Sequence, residues 1–187
     1  MPKDYIALPP NQVRRADRSI DDEQWIRTML HGAAFGALAT VHEEQPFINT
    51  NLFVYDEAGH ALYTHTGRYG RTRANLEADD RVCFSVSEMG RLLPADEALE
   101  FGVEYAGVTV FGRGAVVEAT DEARRGLQLL LDKYAPHLRP GEHYRPIADD
   151  ELARTSVYKI SIESWSGKKM EAKADFPGAF YYHPRKD

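Results

Sequence analysis

The stretch that decides the fold of this chain runs from Leu62 to Leu76 and has the sequence LYTHTGRYGRTRANL. Its first residues predict a β-strand, and the glycines that follow predict a turn into a helix that begins near Arg71. A helix N-terminus carries unpaired N–H groups and the positive end of the helix dipole, so it attracts anions. Arg68, Arg71 and Arg73 crowd three cations at that end, a conflict that a bound phosphate would relieve. The alternative is a basic turn that is only solvated.

The composition around this basic turn is that of an acidic globular protein. The chain has 187 residues, 43% of them hydrophobic, and a formal net charge of -6, which suits one folded domain and argues against broad nucleic-acid binding. Its single cysteine, Cys83, excludes an internal disulfide and a multi-cysteine zinc site. No apolar run approaches the length of a transmembrane helix, and no secretory signal pattern is present. We therefore expect a cytoplasmic protein with no nucleic-acid partner, no membrane partner and no metal site.

Hydrophobic periodicity divides the chain into a mainly β (α+β) arrangement. Strands are expected over residues 35–41, 47–55, 61–65, 82–87, 103–118 and 155–165. Helices are expected from Ser19–Asp22 to Gly32 or Gly36, over 71–78, and from Thr120 to Pro136, with a loop or brief helix over 88–102. Because regular βαβ alternation is absent, we expect an antiparallel sheet that closes into a barrel.

The predicted second strand contains an unusual polar run, Asn49, Thr50 and Asn51. Strand interiors normally disfavour asparagine, and a buried amide needs a hydrogen-bond partner. We therefore expect the two asparagines to contact either the edge of a ligand or each other.

Several segments of the chain together resemble one known family. They are residues 62–66 with 70–76, 81–84, 108–114, 133–136 and 164–168, spread over roughly residues 20–170. In order and spacing they are similar to the pyridoxamine 5'-phosphate oxidase-like FMN-binding split barrels, and most to their Nim-type nitroimidazole-resistance branch. The resemblance implies a six-stranded antiparallel split β-barrel with a few peripheral helices, forming a homodimer with FMN at the subunit interface. It divides the chain into an N-terminal arm (1–18), an FMN-binding split-barrel domain (19–170) and a C-terminal tail (171–187).

The resemblance also implies where the flavin phosphate lies, which is the strand–helix turn. It places the phosphate against His65, Thr66, Arg71 and Thr72. The family often carries a lysine where this chain has Thr72, which offers a hydroxyl but no charge. Phosphate binding would therefore depend more on Arg68 or Arg73.

The flavin ring has its own implied contacts. The isoalloxazine would lie against Asn49, Thr50, Asn51 and Leu52, whose backbone and side-chain groups would bond its pyrimidine edge. Trp165 would cover a flavin edge and Lys168 would reach an anionic group. The alternatives for these last two residues are interface packing and a solvated tail. The full list of expected cofactor-binding residues is Asn49, Thr50, Asn51, Leu52, His65, Thr66, Arg68, Arg71, Thr72, Trp165 and Lys168.

The function that follows is an FMN-dependent oxidoreductase. It would transfer electrons from a reduced donor such as NAD(P)H to a small-molecule acceptor, with a nitro compound as one candidate. His65 is the expected catalytic residue, because imidazole titrates near neutral pH and can deliver a proton; the alternative is a strand-end histidine bonded to backbone. Three other functions stay open: a non-catalytic flavin-binding or redox-sensing protein, a haem-binding split barrel and a deazaflavin-binding split barrel.

Overall fold

The computed structural model describes residues 4–183, and one antiparallel sheet dominates it. Residues 1–3 of the expected arm and 184–187 of the expected tail lie outside the described part. The mainly β, antiparallel class predicted from the sequence is confirmed. The strands are β1 (Ser19–Ile20), β2 (Gly36–His42), β3 (Gln45–Asn51), β4 (Phe53–Asp56), β5 (Ala61–Gly67), β6 (Arg81–Leu93), β7 (Gly102–Val116), β8 (Thr155–Met170) and β9 (Phe180–Tyr181).

Within residues 4–183, four α-helices flank the sheet. They are α1 (Glu23–Gly32), α2 (Arg71–Ala78), α3 (Thr120–Tyr134) and α4 (Asp149–Ala153), with single 3₁₀ turns at Ala16–Arg18 and Ala98–Glu100. None of the helices within residues 4–183 is long and apolar enough to cross a membrane.

The order of the strands makes the sheet a split barrel. Seven strands lie side by side in the order β3-β2-β6-β7-β8-β5-β4, and β1 and β9 add short pairings to β8 and β6. The two edge strands, β3 and β4, are connected in the chain by Leu52 alone. The sheet must therefore curl until its edges approach each other, although no backbone ladder joins them. The sheet has nine strands within residues 4–183, where the resemblance implied six.

The single strand expected over residues 47–55 is wrong, because it is two strands on opposite edges of the sheet. Asn51 pairs with Gly36 of β2, whereas Phe53 pairs with Thr64 of β5. The backbone of Leu52 is held by side chains instead of a ladder: its N–H donates to Asn51 Oδ1 (2.8 Å), and its carbonyl accepts from Thr64 Oγ1 (2.8 Å). Side-chain alternation continues across this break, so the sequence pattern alone does not reveal it.

Other boundaries also differ from the sequence expectation. β6 continues to Leu93 and β7 begins at Gly102, so the loop predicted over 88–102 shortens to 94–101. At the first helix, Ser19 lies in β1, and Asp22 is the N-cap, since its Oδ1 accepts from Gln24 N at 2.9 Å. Long-range pairing, which local propensity does not contain, extends the strands in both cases.

Two hydrophobic clusters position the remaining elements. The larger fills the barrel beneath α1 and includes Leu30, Phe53, Phe84 and Val110. The smaller lies on the opposite face of β4, β5 and β8, where α3 covers Val54, Tyr63 and Val157. Alternation along β5 therefore turns even-numbered residues such as Leu62 toward the barrel and odd-numbered residues such as Tyr63 toward α3. The end of β5 consequently faces the barrel interior on one side and α3 on the other.

Candidate functional site

The turn between β5 and α2 has the open positive end that the sequence predicts. α2 begins at Arg71, and its N-cap residue, Gly70, has no side chain with which to cap it. The first turn of the helix also contains no acidic residue. Arg71 is exposed, Arg68 is half-buried, and neither forms an ion pair with any residue between 4 and 183. The helix end therefore carries uncompensated positive charge from its dipole and from two guanidinium groups.

Arg73, the third arginine of the cluster, has a structural role. Its Nε is 2.7 Å from Glu77 Oε1, its Nη1 donates to Ser156 Oγ at 3.0 Å, and its Nη2 is 3.2 Å from Glu118 Oε1. The two carboxylates compensate its charge. Of the two arginines expected to supplement Arg71, it is therefore Arg68 that remains available for a phosphate.

β3 lies close to this turn across the seam of the barrel, the gap between the unpaired edge strands β3 and β4. Asn49 Nδ2 donates to Thr72 Oγ1 at 3.2 Å, and Asn51 Nδ2 donates to the carbonyl of His65. The two side-chain amides thus bond neither to each other nor to a ligand. Their hydrogen bonds connect β3 to α2 and to the end of β5 across the seam. As an edge strand, β3 pairs with β2 alone, so its other backbone edge near exposed Thr50 is open to a ligand.

The remaining expected cofactor contacts divide into near and distant residues. Thr66 is at the turn, but its Oγ1 is 2.7 Å from Tyr158 Oη and donates to the Gly67 carbonyl at 2.9 Å. Trp165 packs its ring against His60, with ring centres 4.8 Å apart. Since His65 pairs with Val157, Trp165 lies eight residues farther along β8, which is about 26 Å of strand.

Lys168 lies three residues farther along β8 and is even more remote from the turn. Its Nζ is 5.1 Å from the centre of the Tyr105 ring. Within one chain, the structure therefore brings together Asn49, Asn51, Leu52, His65, Thr66, Arg68, Arg71 and Thr72, with Thr50 on the exposed face of β3, and leaves Trp165 and Lys168 apart.

The backbone of His65 lies at the turn, where its carbonyl accepts from Asn51, but its ring lies in a different environment. Its odd position in β5 places the ring beneath α3, where it lines an apolar cavity of about 630 Å³. This volume is typical of pockets that enclose small organic ligands. The apolar walls come from the residue before β4, from α3 and from the segment that follows α3. The apolar and aromatic lining residues there are Leu52, Leu127, Leu130, Leu131, Tyr134, Ala135, Leu138 and Ile147, and the other lining residues are His65, Tyr144, Arg145, Glu151 and Thr155.

Most of the polar side chains in this cavity already have partners. Tyr144 Oη accepts from Gln128 Nε2 at 2.9 Å, and Arg145 Nη2 is 3.2 Å from Glu151 Oε1. Thr155 Oγ1 donates to the Glu151 carbonyl at 2.8 Å. The Tyr134 hydroxyl is 2.9 Å from the Phe53 carbonyl. These groups are satisfied without a ligand.

His65 is the exception in the cavity. Its Nδ1 is buried without a hydrogen-bond partner, and neither ring nitrogen bonds to any residue in the described part of the chain. Burial also lowers the pKa of the imidazole, because a charged ring would be poorly solvated there. His65 is therefore a neutral imidazole at physiological pH whose polar atoms have no structural use. The sequence identified this histidine but placed it at the phosphate turn.

No pattern in the sequence predicts the cavity. Tyr144 and Arg145 lie between the helix predicted to end at Pro136 and the strand predicted from residue 155, where no element was expected, and α4 was not expected either. Leu127, Leu130 and Leu131 lie in the helix predicted from Thr120 to Pro136. Helical periodicity identifies a face that is covered but does not show whether the covering leaves a gap.

Comparison with known proteins gives one family and a set of similar folds. A family model described as pyridoxamine 5'-phosphate oxidase matches residues 22–169. No curated protein sequence matches the chain.

Several solved structures share the fold at low sequence identity. The flavocytochrome Anf3 from Azotobacter vinelandii is 23% identical with a TM-score of 0.74, over 95% of this chain and 88% of that one. An FAD and haem binding protein from Mycobacterium smegmatis is 21% identical with a TM-score of 0.75, over 91% and 89%. A candidate 5-nitroimidazole antibiotic resistance protein from Bacteroides thetaiotaomicron is 19% identical with a TM-score of 0.66, over 81% and 86%.

Proposed function

The chain belongs to the pyridoxamine 5'-phosphate oxidase family, and on that premise we propose that it is a redox protein that binds FMN at the β5–α2 turn. One observation carries the proposal: the N-terminus of α2 is uncapped and is flanked by Arg68 and Arg71, which have no ion-pair partner within residues 4–183. A phosphate would accept hydrogen bonds from the helix N–H groups and charge-assisted bonds from both guanidinium groups.

The rest of the flavin would lie along the open edge of β3. Backbone groups from Asn49 to Leu52 would bond the pyrimidine edge of the ring, since the Asn49 and Asn51 amides are used in the seam. Thr72, whose hydroxyl accepts from Asn49, would hold β3 at the correct distance from the phosphate turn. The protein would thereby orient the ring, whereas the flavin would supply the electron-transfer chemistry.

The proposed reaction transfers electrons from a reduced donor such as NAD(P)H to a small-molecule acceptor. A nitro compound is a reasonable acceptor to test because one similar structure is described as a candidate 5-nitroimidazole resistance protein. A store or sensor would bind the flavin without turnover. Mass analysis of the chromophore released from the purified protein would distinguish FMN from FAD and from a deazaflavin.

Replacing Arg71 with alanine is expected to weaken FMN binding more than tenfold, because one charge-assisted phosphate contact is lost. The apo-protein would be titrated with FMN, and binding followed by the change in flavin fluorescence. Arg139→Ala is the matched control, since Arg139 is exposed and its side chain has no partner in residues 4–183. Equal affinity in Arg71→Ala and the wild type would place the phosphate elsewhere.

A homodimer is the arrangement in which Trp165 and Lys168 could also contact flavin. Both lie far along β8 from their own phosphate turn, so they could reach only the turn of a second copy. We expect light scattering to give about twice the mass of one 21.1 kDa chain. A monomer that binds FMN would remove Trp165 and Lys168 from the site.

Haem binding is a second candidate function, and the environment of His65 favours it. An apolar cavity lined by an unpartnered neutral imidazole is the setting in which proteins hold haem iron. Two of the similar structures are described as a flavocytochrome and as an FAD and haem binding protein. Leu52 lines this cavity and is also an expected flavin contact, so the two proposed sites would adjoin at this residue. An absorbance spectrum with a Soret band would support this candidate.

A further inference from the structure

We propose that the cavity beside His65 takes an iron porphyrin with His65 as its only protein ligand, leaving the sixth coordination position of the iron open to a small exogenous molecule. This inference rests on the second candidate function above. It adds the coordination number and the class of molecule that the iron can bind, neither of which follows from haem binding itself.

The donor groups present favour a metal enclosed in a macrocycle over a bare ion. No group of three or more His, Cys, Asp and Glu residues within residues 4–183 is arranged to hold a metal ion. A bare transition metal needs several protein ligands. A porphyrin supplies the equatorial nitrogens itself, so one imidazole is enough.

The cavity walls favour a flat apolar ligand with an anionic edge. Six of the thirteen lining residues are leucine or isoleucine and a seventh is alanine, which suits the faces of a macrocycle. Arg145 is the lining residue that could meet a carboxylate. In its ion pair with Glu151, the Arg145 side chain is 65% exposed and the Glu151 side chain 41% exposed. Such an exposed pair contributes little to stability, so Arg145 can change partners.

The open coordination position follows from the same lining. No cysteine, methionine or second histidine lines the cavity. The two tyrosine hydroxyls there, on Tyr134 and Tyr144, already take part in hydrogen bonds to Phe53 and Gln128. The Glu151 carboxylate also lines the cavity, and its Oε2 accepts from the Ala148 N–H at 2.8 Å. The described lining therefore holds no second imidazole and no sulfur ligand for the iron. If His65 alone held a ferrous porphyrin iron, one coordination position would remain free for a neutral diatomic molecule.

The test is a titration of the purified protein with hemin, followed by reduction with dithionite and addition of carbon monoxide. We expect a Soret band, a high-spin five-coordinate spectrum after reduction, and a sharp shift of the band with carbon monoxide. His65→Gly should bind hemin at least tenfold more weakly, and added imidazole should restore both binding and spectrum by filling the space of the lost ring. His42→Gly is the control, because His42 is a partly exposed histidine at the end of β2 and does not line the cavity. Arg145→Ala should weaken hemin binding several-fold without changing the coordination.

The possible results distinguish failure of the open coordination position from failure of haem binding and of FMN binding. Absence of a Soret band would overturn haem binding and the inference together, while FMN binding would stand or fall in its own titration. A six-coordinate low-spin spectrum that does not respond to carbon monoxide would overturn the open position but keep haem binding. A His65→Gly variant that binds hemin like the wild type, with an unchanged spectrum, would overturn His65 as the ligand.

Discussion

Replacing Gly112 with alanine is expected to lower the free energy of unfolding by about 4 kcal/mol or more, enough to leave little folded protein. Gly112 lies where the register of β7 and β8 shifts, between the pairs Phe111–Ser164 and Gly112–Ile162. A Cβ at this position would lie 2.0 Å from the carbonyl oxygen of Ser161 and 3.3 Å from Ile162 Cα. These are backbone atoms of a central strand, so relief of the clash would force β7 and β8 apart.

Urea denaturation followed by circular dichroism would measure the effect of Gly112→Ala. Gly32→Ala is the matched control, because a Cβ at the end of α1 would meet no atom within 4 Å. That control should be neutral or stabilise by up to about 1 kcal/mol, the usual gain from alanine in a helix. A Gly112→Ala protein with an unchanged midpoint would show that the bulge can rearrange at low cost.

Replacing Tyr134 with phenylalanine is expected to cost about 2–3 kcal/mol, or roughly 5–10 °C in Tm. The Tyr134 hydroxyl accepts from the Phe53 N–H at 3.1 Å, and the Phe53 and Ala34 carbonyls are 2.9 and 2.7 Å away. It thus joins the end of α3 to the start of β4 and to the segment after α1. Phe53 is fully buried, so its N–H would lose its partner without access to water.

Thermal unfolding would test Tyr134→Phe against Tyr69→Phe, a loss of the same atom at a site that is 87% exposed. The Tyr69 variant should keep the wild-type Tm. If Tyr134→Phe also kept it, a water molecule or a shifted backbone would have to satisfy Phe53. A selective loss of stability in Tyr134→Phe would identify this hydroxyl as the fastening of α3 onto the barrel.

Local sequence signals predict where the strands and helices of this fold lie better than they predict which strands pair with each other. The strand–turn–helix from Leu62 to Leu76 is confirmed because its pattern, glycines and helix start act over a few residues. The break at Leu52 escaped prediction because the alternation of side chains is the same on both sides of it. The position of the break depends on the pairing of β3 with β2 and of β4 with β5, and those partner strands lie outside the segment itself.

The candidate site was predictable in its charges and not in its cavities. The excess of arginine over acid near Arg71 is visible in sequence, whereas the use of Arg73 by Glu118 and Ser156 depends on contacts made across the fold. His65 was identified as important, but its surroundings come from the segment around Arg145, more than seventy residues later. A contact at that separation leaves no periodic signal in a single sequence.

The connection of two opposite sheet edges by Leu52 also has a consequence for the order in which the chain folds. The hairpins β2–β3 and β4–β5 are local, but β5 reaches the remainder of the sheet only through β8, which follows it by nearly ninety residues. During synthesis, both hairpins would emerge with exposed edges long before β8 appears. Such non-local closure is typical of slow folders, on the order of milliseconds to seconds. The nascent chain therefore depends on its last long strand to become a barrel, and chaperones would meet it mainly in the interval before that strand arrives.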